Sequence, residues 1–203
     1  VRFRHDFSHG NIQLALENPE TTVGGSSSMD NQSDDVPDVV AKYTATGRWG
    51  NVNISLLGRQ LHYVNDNNSE PERDFAVGYA LAGQLKTFGK DDVRFQLNLG
   101  DTGRYTTLGL VQDVYNNQAQ QSTGYMLAYR HYWTETLRST VLYAGAKADT
   151  SNDKVQQWTA NLFKNLTPAL SIGIEVGNFQ FKQGSTGVEG NSYYGQASMK
   201  FIL

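Results

Sequence analysis

Basic side chains recur at every second position in several stretches of the sequence, a spacing that suits a charged wall better than a catalytic centre. Near the start, Arg2 and Arg4 alternate with Phe3 and Phe7. Along the whole chain, one face of such alternating segments gathers ten basic residues and four acidic residues: Arg2, Arg4, Lys42, Arg48, Arg59, Lys86, Arg94, Arg130, Arg138 and Lys200 against Asp6, Glu17, Asp74 and Glu175. Unpaired charges at this density need water. The pattern therefore predicts a positive, water-lined face that attracts anions.

A different interpretation of this face stays open, because charged networks of this kind often mix signs and the arginines could pair with carboxylates outside this chain. Most acidic residues lie in or beside the predicted loops, as at Asp30, Asp34, Asp35, Asp38, Asp66, Glu70 and Glu72. On that assignment, the formal net charge of −3 is a poor guide to the charge of the face.

Residues typical of catalytic and metal sites are present without the spacing that such sites need. Asp101-Thr102-Gly103 matches the triplet of aspartic proteases, but that chemistry needs two such aspartates, and a strand-to-loop turn explains Asp and Gly equally well. The chain has no cysteine, and its four histidines form no HExxH motif: His5 and His9 are four residues apart, but they lie outside any predicted helix and lack the glutamate of that motif. We therefore predict no enzyme activity, no cofactor and no metal.

The elements that carry these residues are predicted to be β-strands. Apolar and polar residues alternate almost throughout, as in Val52, Ile54 and Leu56 against Asn53 and Ser55, and no segment has a convincing helical period. About eleven strands can be counted, most of nine or more residues, which is near the length that crosses a bilayer at a tilt. The pattern predicts an all-β fold, an antiparallel transmembrane β-barrel.

The predicted connections alternate between short and long. The short ones lie at Ser8, Gly50, Gly89, Thr134 and Thr167, and the long ones at Pro19, Asn65, Thr102, Ser151 and Gln183. This alternation is typical of outer-membrane barrels. The length of the chain suits one domain, so we expect residues 1–203 to form a single β-barrel domain. An odd strand count, with the first strand starting on the outer side, leads us to expect that it is the C-terminal portion of a larger barrel whose N-terminal strands are missing.

The composition excludes several other classes of protein. A mean hydropathy of −0.51, with no run of about 18 apolar residues, excludes a helical membrane protein. A sequence pI of about 5.8 argues against a nucleic-acid partner. Aromatic residues of the apolar face collect near predicted strand ends, which suits lipid headgroups: Trp49, Tyr129, Trp133, Tyr143 and Trp158. A soluble β-sandwich binding or adhesion domain stays an alternative, because its buried face also collects aromatics.

Five stretches of the sequence resemble, in the same order, the DcaP-like porins of Gram-negative outer membranes. They are LALENPET at 14–21, GDTGRY at 100–105, YRHYWTETLRST at 129–140, NLFKNLTP at 161–168 and the SMKFIL end. The resemblance implies a trimeric barrel of about sixteen strands that takes up small anionic solutes, dicarboxylates in particular. It also implies an arginine-lined constriction, for which the candidates here are Arg2, Arg4, Lys42, Arg48, Arg59, Arg94, Arg104, Arg130 and Arg138.

The final strand resembles the signal by which the barrel-assembly machinery recognises its substrates. Gln196 and Phe201 stand at its polar and aromatic positions, whereas Ser198 replaces a glycine and Leu203 replaces the usual terminal aromatic residue. These departures bear on the efficiency of insertion rather than on the fold.

Together these observations predict an outer-membrane porin for the passive diffusion of small anions, surrounded by outer-membrane lipid and assembled as a homotrimer. Guanidinium forks would orient carboxylates while water keeps their release fast. An outer-membrane barrel enzyme with a hydrolytic site near the rim is the alternative, together with the soluble sandwich.

Overall fold

The structure, a computed structural model, describes residues 1–29, 36–67, 70–107 and 111–202. Within these ranges the chain forms fourteen strands and one short helix. They are β1 (Arg2–Phe7), β2 (Gly10–Glu17), β3 (Val23–Gly24), β4 (Ser27–Met29), β5 (Asp38–Gly47), β6 (Gly50–Asn65), β7 (Glu70–Lys86), β8 (Asp92–Gly100), α1 (Gly103–Thr107), β9 (Val114–Tyr115), β10 (Ser122–Tyr132), β11 (Leu137–Ala148), β12 (Lys154–Asn165), β13 (Leu170–Lys182) and β14 (Glu189–Phe201). The described residues contain no helix long and apolar enough to cross a membrane.

Eleven strands form one antiparallel path in chain order, β1, β2, β5 to β8 and β10 to β14. The short strand β4 pairs with β6 beyond the end of β5, and β3 pairs with β9 in a separate parallel sheet of two strands. The end strands β1 and β14 are not paired with each other, so the sheet is open. All strands of the main path except β1 and β2 have nine or more residues. The predicted number and length of the strands are confirmed.

Alternation sorts the side chains of this sheet onto two faces. On the face that we call the outer face, large apolar side chains stay exposed: Ile54 is 55% exposed, Leu127 58% and Ile174 62%. Within the described residues no second large sheet covers this face, since the only other sheet pairs two residues from each strand. An uncovered apolar face suits lipid, and it does not support the sandwich alternative.

The aromatic residues of the outer face follow the expected pattern only in part. Trp49 and Trp133 lie in or beside short turns, as predicted for rings at the headgroup level. Tyr143 and Trp158, in contrast, lie opposite each other inside β11 and β12 rather than near their ends. The prediction was wrong for these two residues, which face each other in the strand register within the apolar band.

The connections at the two ends of the sheet differ, although less evenly than predicted. Short turns join the strands at one end, which we call the short-turn end: 8–9, 48–49, 87–91, 133–136 and 166–169. At the opposite, long-loop end, the predicted loop at Asn65 to Glu72 shrinks to 66–69 because β6 and β7 extend into it. The asymmetry therefore rests on two connections, 18–37 and 101–121. Asp30, Asp34, Asp35 and the terminal Leu203 lie outside the described residues.

Residues 101–107 and 111–121, which we call the inward loop, fold back onto the other face of the sheet, the inner face. Val114 of β9 is fully buried in one apolar cluster with Leu61 of β6. On β10, position 124 requires glycine, because a Cβ there would collide with the methyl group of Thr106. The largest apolar core in the described part of the chain is thus the contact between this loop and the sheet.

Candidate functional site

Backbone register places seven of the nine predicted basic residues on the inner face. Arg4 lies opposite Gln13, which in turn lies opposite Lys42. The register of the other strand pairs places further basic residues on the same face: Arg2, Arg59, Arg94, Arg130 and Arg138, together with Lys86 and Lys200. Arg48 instead lies in the turn between β5 and β6, and Arg104 lies on α1 of the inward loop.

The sequence undercounts the acidic residues of this face. Four more carboxylates occupy inner-face strand positions, Asp38, Glu70, Glu72 and Asp92. The alternation missed them because β5, β7 and β8 begin at or before these residues, where the sequence suggested loops. The strand positions of the inner face therefore hold nine basic residues, the predicted ten without Arg48, and eight acidic residues, the predicted four plus these four. Over the face as a whole, positive charge exceeds negative charge by only one.

Arg59 of β6 is fully buried beneath the inward loop and does not meet open water. Its Nη1 lies 2.5 Å from Oδ1 of Asp113 and its Nε lies 3.4 Å from Oδ2 of Asp38, and both carboxylates are fully buried too. Its Nη2 donates to the backbone oxygen of Glu20 at 2.5 Å. The charge of a buried guanidinium must be compensated by carboxylates close to it. Arg59 therefore holds the two long connections against the sheet.

Two side chains of α1 meet the same carboxylate. Nη2 of Arg104 and the hydroxyl of Tyr105 each donate to Oδ2 of Asp38 at 2.8 Å. The Arg104 guanidinium also lies 4.8 Å from the centre of the Tyr105 ring. Burial, assisted by the neighbouring Asp38 carboxylate, raises the pKa of the Tyr105 phenol above its ordinary value of 10. We call Asp38, Arg59, Arg104, Tyr105 and Asp113 the loop clamp.

The Asp101-Thr102-Gly103 triplet is the structural start of the inward loop. Oδ2 of Asp101 accepts the backbone N–H of Val77 on β7 at 3.0 Å, and the carbonyl of Thr102 accepts the N–H of Tyr105 at 2.8 Å. The turn interpretation of this triplet is the one its contacts support. Sequence reasoning missed Asp113 entirely, because an aspartate in a polar segment carries no signal that it will be buried.

A second group of basic residues lies at the short-turn end of the inner face. We call this group the basic row: Lys86, Arg94, Arg130, Arg138 and Lys200. Asp92 lies within it, with Oδ1 3.0 Å from Nε of Arg94 and Oδ2 accepting Nε of Arg130 at 2.8 Å. The side chains of these two arginines are 44% and 25% exposed. They therefore remain accessible to ions in water.

Arg138 has no carboxylate partner in the part of the chain that the structure describes. Its Nη1 donates to Oδ1 of Asn165 at 2.9 Å, and its guanidinium lies 5.4 Å from the centre of the Phe163 ring. Lys200 lies opposite Ser171 in the register of β13 and β14. With the five cations of the basic row and the single carboxylate of Asp92, this group has a formal charge of 5 − 1 = +4.

The remaining predicted residues do not join either group. Arg2 lies 3.8 Å from Glu17 and Arg4 lies 2.7 Å from Asp6, in pairs that are mostly exposed at the edge of the sheet. Lys42 has no carboxylate partner within the described ranges. The structure thus divides the nine candidates among the loop clamp, the basic row and scattered positions.

The inward loop leaves an open groove along the inner face, beyond α1. Its volume is about 390 Å³. The residues that line it are all uncharged, and the lining is mainly apolar, with Gln96, Asn98, Thr106 and Gln157 among its polar side chains. Gln96 lies on β8 two residues from Arg94, so the groove continues towards the basic row. The middle of the inner face therefore offers an uncharged surface, with charges towards its ends.

Two solved structures resemble this arrangement. The outer membrane channel DcaP of Acinetobacter baumannii matches with a TM-score of 0.80 and 15% sequence identity, over 99% of this chain and 61% of that chain. The anion-selective porin from Comamonas acidovorans matches with a TM-score of 0.62 and 10% identity, over 98% and 57%. The chain thus spans about three fifths of the length of these structures. No protein-family model matches the chain, and neither does any curated protein.

At these identities the likeness concerns the fold. The open antiparallel sheet of this chain has the fold of part of these porin barrels, which confirms the fold class implied by its resemblance to DcaP-like porins.

Proposed function

We propose that the chain forms part of a passive channel in the bacterial outer membrane that favours small anionic solutes. The observation that carries this proposal is the basic row, five cations accompanied by one carboxylate on the inner face. The exposed apolar outer face supports a membrane location, and so do the similar structures, one an outer membrane channel and the other an anion-selective porin. The proposal needs no covalent step, no catalytic residue and no cofactor.

The basic row would favour anions in two ways. Its formal charge of +4 raises the local concentration of anions in the water beside it. Its arginines, Arg94, Arg130 and Arg138, each present a planar fork of donors that can pair with a carboxylate through two parallel hydrogen bonds. Because Arg94 is 44% exposed, water competes for the same donors and release stays fast.

We further propose that short dicarboxylates are favoured solutes. The basic row extends over β7, β8, β10, β11 and β14, so that neighbouring guanidinium groups could each take one carboxylate of the same solute. A solute with two charges gains from both contacts, whereas a monoanion of the same size gains from one.

We also propose that the complete protein is a larger, Gram-negative outer-membrane barrel that assembles as a homotrimer, with this chain as its C-terminal portion. Unpaired N–H and C=O groups at the open edges β1 and β14 would be costly in lipid, which supports the presence of further strands. The last strand, β14, is the segment that we expect the barrel-assembly machinery to recognise.

The test is the reversal potential of the complete channel in a planar bilayer under a KCl gradient. We expect anion selectivity, and a shift towards zero in the double variant Arg94→Gln/Arg138→Gln. Lys164→Gln is the matched control, because Lys164 lies at the same end on the outer face, opposite Leu137 and Ile172. A cation-selective channel, or a double variant with unchanged selectivity, would contradict the proposal.

The dicarboxylate preference has its own test. Liposome swelling compares the flux of succinate with that of succinamate, which has nearly the same size and one carboxylate fewer. We expect faster flux of succinate, and loss of that advantage in the Arg94→Gln/Arg138→Gln channel. Equal flux of the two solutes would leave an anion channel without this preference.

A further inference from the structure

The inner face has charges of opposite sign at its two ends, and we infer that the channel rectifies ionic current. It passes more current when the long-loop side is positive than when the same voltage is reversed. This inference rests on the proposed channel function and adds a direction to it.

The long-loop end of the inner face is acidic. Strand β7 carries Glu70, Glu72 and Asp74 there, which we call the acidic pole. The hydroxyl of Tyr63 lies 3.0 Å from both Oε2 of Glu72 and Oδ2 of Asp74, so these two carboxylates are held on the inner side. Arg73 alternates onto the outer face and therefore does not neutralise them from within the strand.

The loop clamp does not supply the missing positive charge. Its two cations, Arg59 and Arg104, are surrounded by carboxylates of their own. Arg59 pairs with Asp38 and Asp113, and Arg104 pairs with Asp38 and Glu20. Two cations against three carboxylates leave the clamp region slightly negative as well, so the long-loop end keeps its negative sign.

The two poles are far apart on a single strand. Asp74 and Lys86 of β7 are separated by 86 − 74 = 12 residues, or about 40 Å along the strand at about 3.3 Å per residue. The inner-face residues between them carry no charge: Ala76, Gly78, Ala80, Ala82 and Gln84. The screening length is about 8 Å at physiological salt, so neither pole cancels the other.

Two oppositely charged zones in series make conduction depend on the direction of the voltage. Anions concentrate beside the basic row and cations concentrate beside the acidic pole. When the long-loop side is positive, anions enter from the basic end and cations enter from the acidic end, so both accumulate in the middle and conductance rises. The reversed voltage drains both kinds of ion from the middle, and conductance falls.

The experiment measures single-channel currents of the complete protein at equal positive and negative voltages in 0.1 M KCl. Residues 1–203 contain no cysteine, so Ser185→Cys in the 183–188 connection places one thiol at the long-loop end, and any cysteine elsewhere in the complete protein is first changed to serine. A bulky maleimide added to one chamber then reports which way each channel faces. We expect a current ratio of about 1.5 or more, in the stated direction, at low salt. The ratio should approach one in 1 M KCl, where the screening length is about 3 Å.

Charge variants separate this inference from an effect of pore shape. Glu72→Gln/Asp74→Asn removes charge from the acidic pole, and Glu189→Gln is its control because Glu189 lies on the outer face at the same end. Lys86→Gln/Lys200→Gln removes two positive charges from the basic row and leaves the hydrogen bonds of Tyr63 intact. It therefore tests the inference even if the first double variant has a folding defect. Both double variants should reduce the ratio, and Glu189→Gln should not.

Several outcomes would overturn the inference. They are a symmetric current in the wild-type channel, the larger current at the opposite polarity, and a ratio that neither double variant changes. A conducting, anion-selective channel with symmetric current overturns the rectification alone. A silent or cation-selective channel overturns the proposed function instead.

Discussion

The loop clamp and the basic row both contain an arginine on the inner face of the same sheet, but the two arginines have different surroundings and different proposed roles. Arg59 is fully buried between Asp38 and Asp113, whereas Arg94 shares Asp92 with a second arginine and keeps 44% of its side chain exposed. The difference comes from what covers each residue. The inward loop lies over Arg59, and no loop in the described part of the chain lies over the short-turn end.

The comparison teaches that strand alternation assigns an arginine to a face but does not assign its role. A buried ion pair is expensive to break because its partners are left charged and dry, whereas an exposed pair contributes about 0–1 kcal/mol. Changes in the loop clamp should therefore alter the shape of the passage, and changes in the basic row should alter its charge preference.

The largest effect is expected from Arg59→Met. Removing the guanidinium leaves Asp38 and Asp113 buried without their shared cation, which should destabilise docking of the inward loop by about 3–5 kcal/mol. Arg104 then becomes accessible, so trypsin should cleave after it in the folded protein, and the single-channel conductance should rise.

Arg94→Met is the matched control for this change, because it removes the same group from an exposed position. It should leave the inward loop resistant to trypsin and lower anion selectivity instead. If Arg59→Met left both proteolysis and conductance unchanged, the distinction between the two regions would be wrong.

A smaller effect is expected from raising the pH. The pKa of Tyr105 is raised in the folded protein, so the protonated phenol stabilises the docked loop fully below pH 10. This contribution is lost as the pH rises above 10 and through the raised pKa. Single-channel conductance measured from pH 8 upwards should therefore increase only on the alkaline side of pH 10.

Tyr105→Phe separates this group from lysines that titrate in the same range. The variant loses the hydrogen bond to Asp38, which should weaken docking by about 1 kcal/mol relative to the wild type below pH 10. It should also lack the alkaline increase attributed to Tyr105. An identical alkaline profile in the variant and the wild type would assign that increase to other groups.

The fold was largely predictable because alternation is a local property of the sequence. Eleven long antiparallel strands follow from the period of two, and the structure has eleven in its main sheet. Strand starts were less predictable. Asp38 and Asp92 open β5 and β8, where a charged residue looks like part of a loop until its partner strand is known.

The candidate site was less predictable, because the separation of its basic residues into the loop clamp and the basic row depends on one long-range contact. Nothing near Arg59 in the sequence indicates that Asp113, 54 residues away, will pair with it. The inward loop contains few apolar residues, so its burial does not appear in a hydrophobic pattern. The sequence therefore predicts on which face of the sheet a side chain lies. Whether a loop covers that side chain, and which residue it pairs with, can be seen only in the structure.

The smallest effect, and the sharpest test of the basic row, is expected from Asp92→Asn. Asp92 is its paired carboxylate, so removing its charge changes the formal charge of the group from +4 to +5. One charge about 8 Å from a passing ion in water is worth roughly 0.5 kcal/mol, or about a twofold change in the local concentration of an anion or of a cation at low salt. Glu135→Gln serves as the control, because Glu135 pairs with Lys90 in exposed turns at the same end. If the row acts through its net charge, the ratio rises in the first variant alone. If Asp92 is needed to hold Arg94 and Arg130 in place, the ratio falls instead, and the row works through arginine geometry rather than through summed charge.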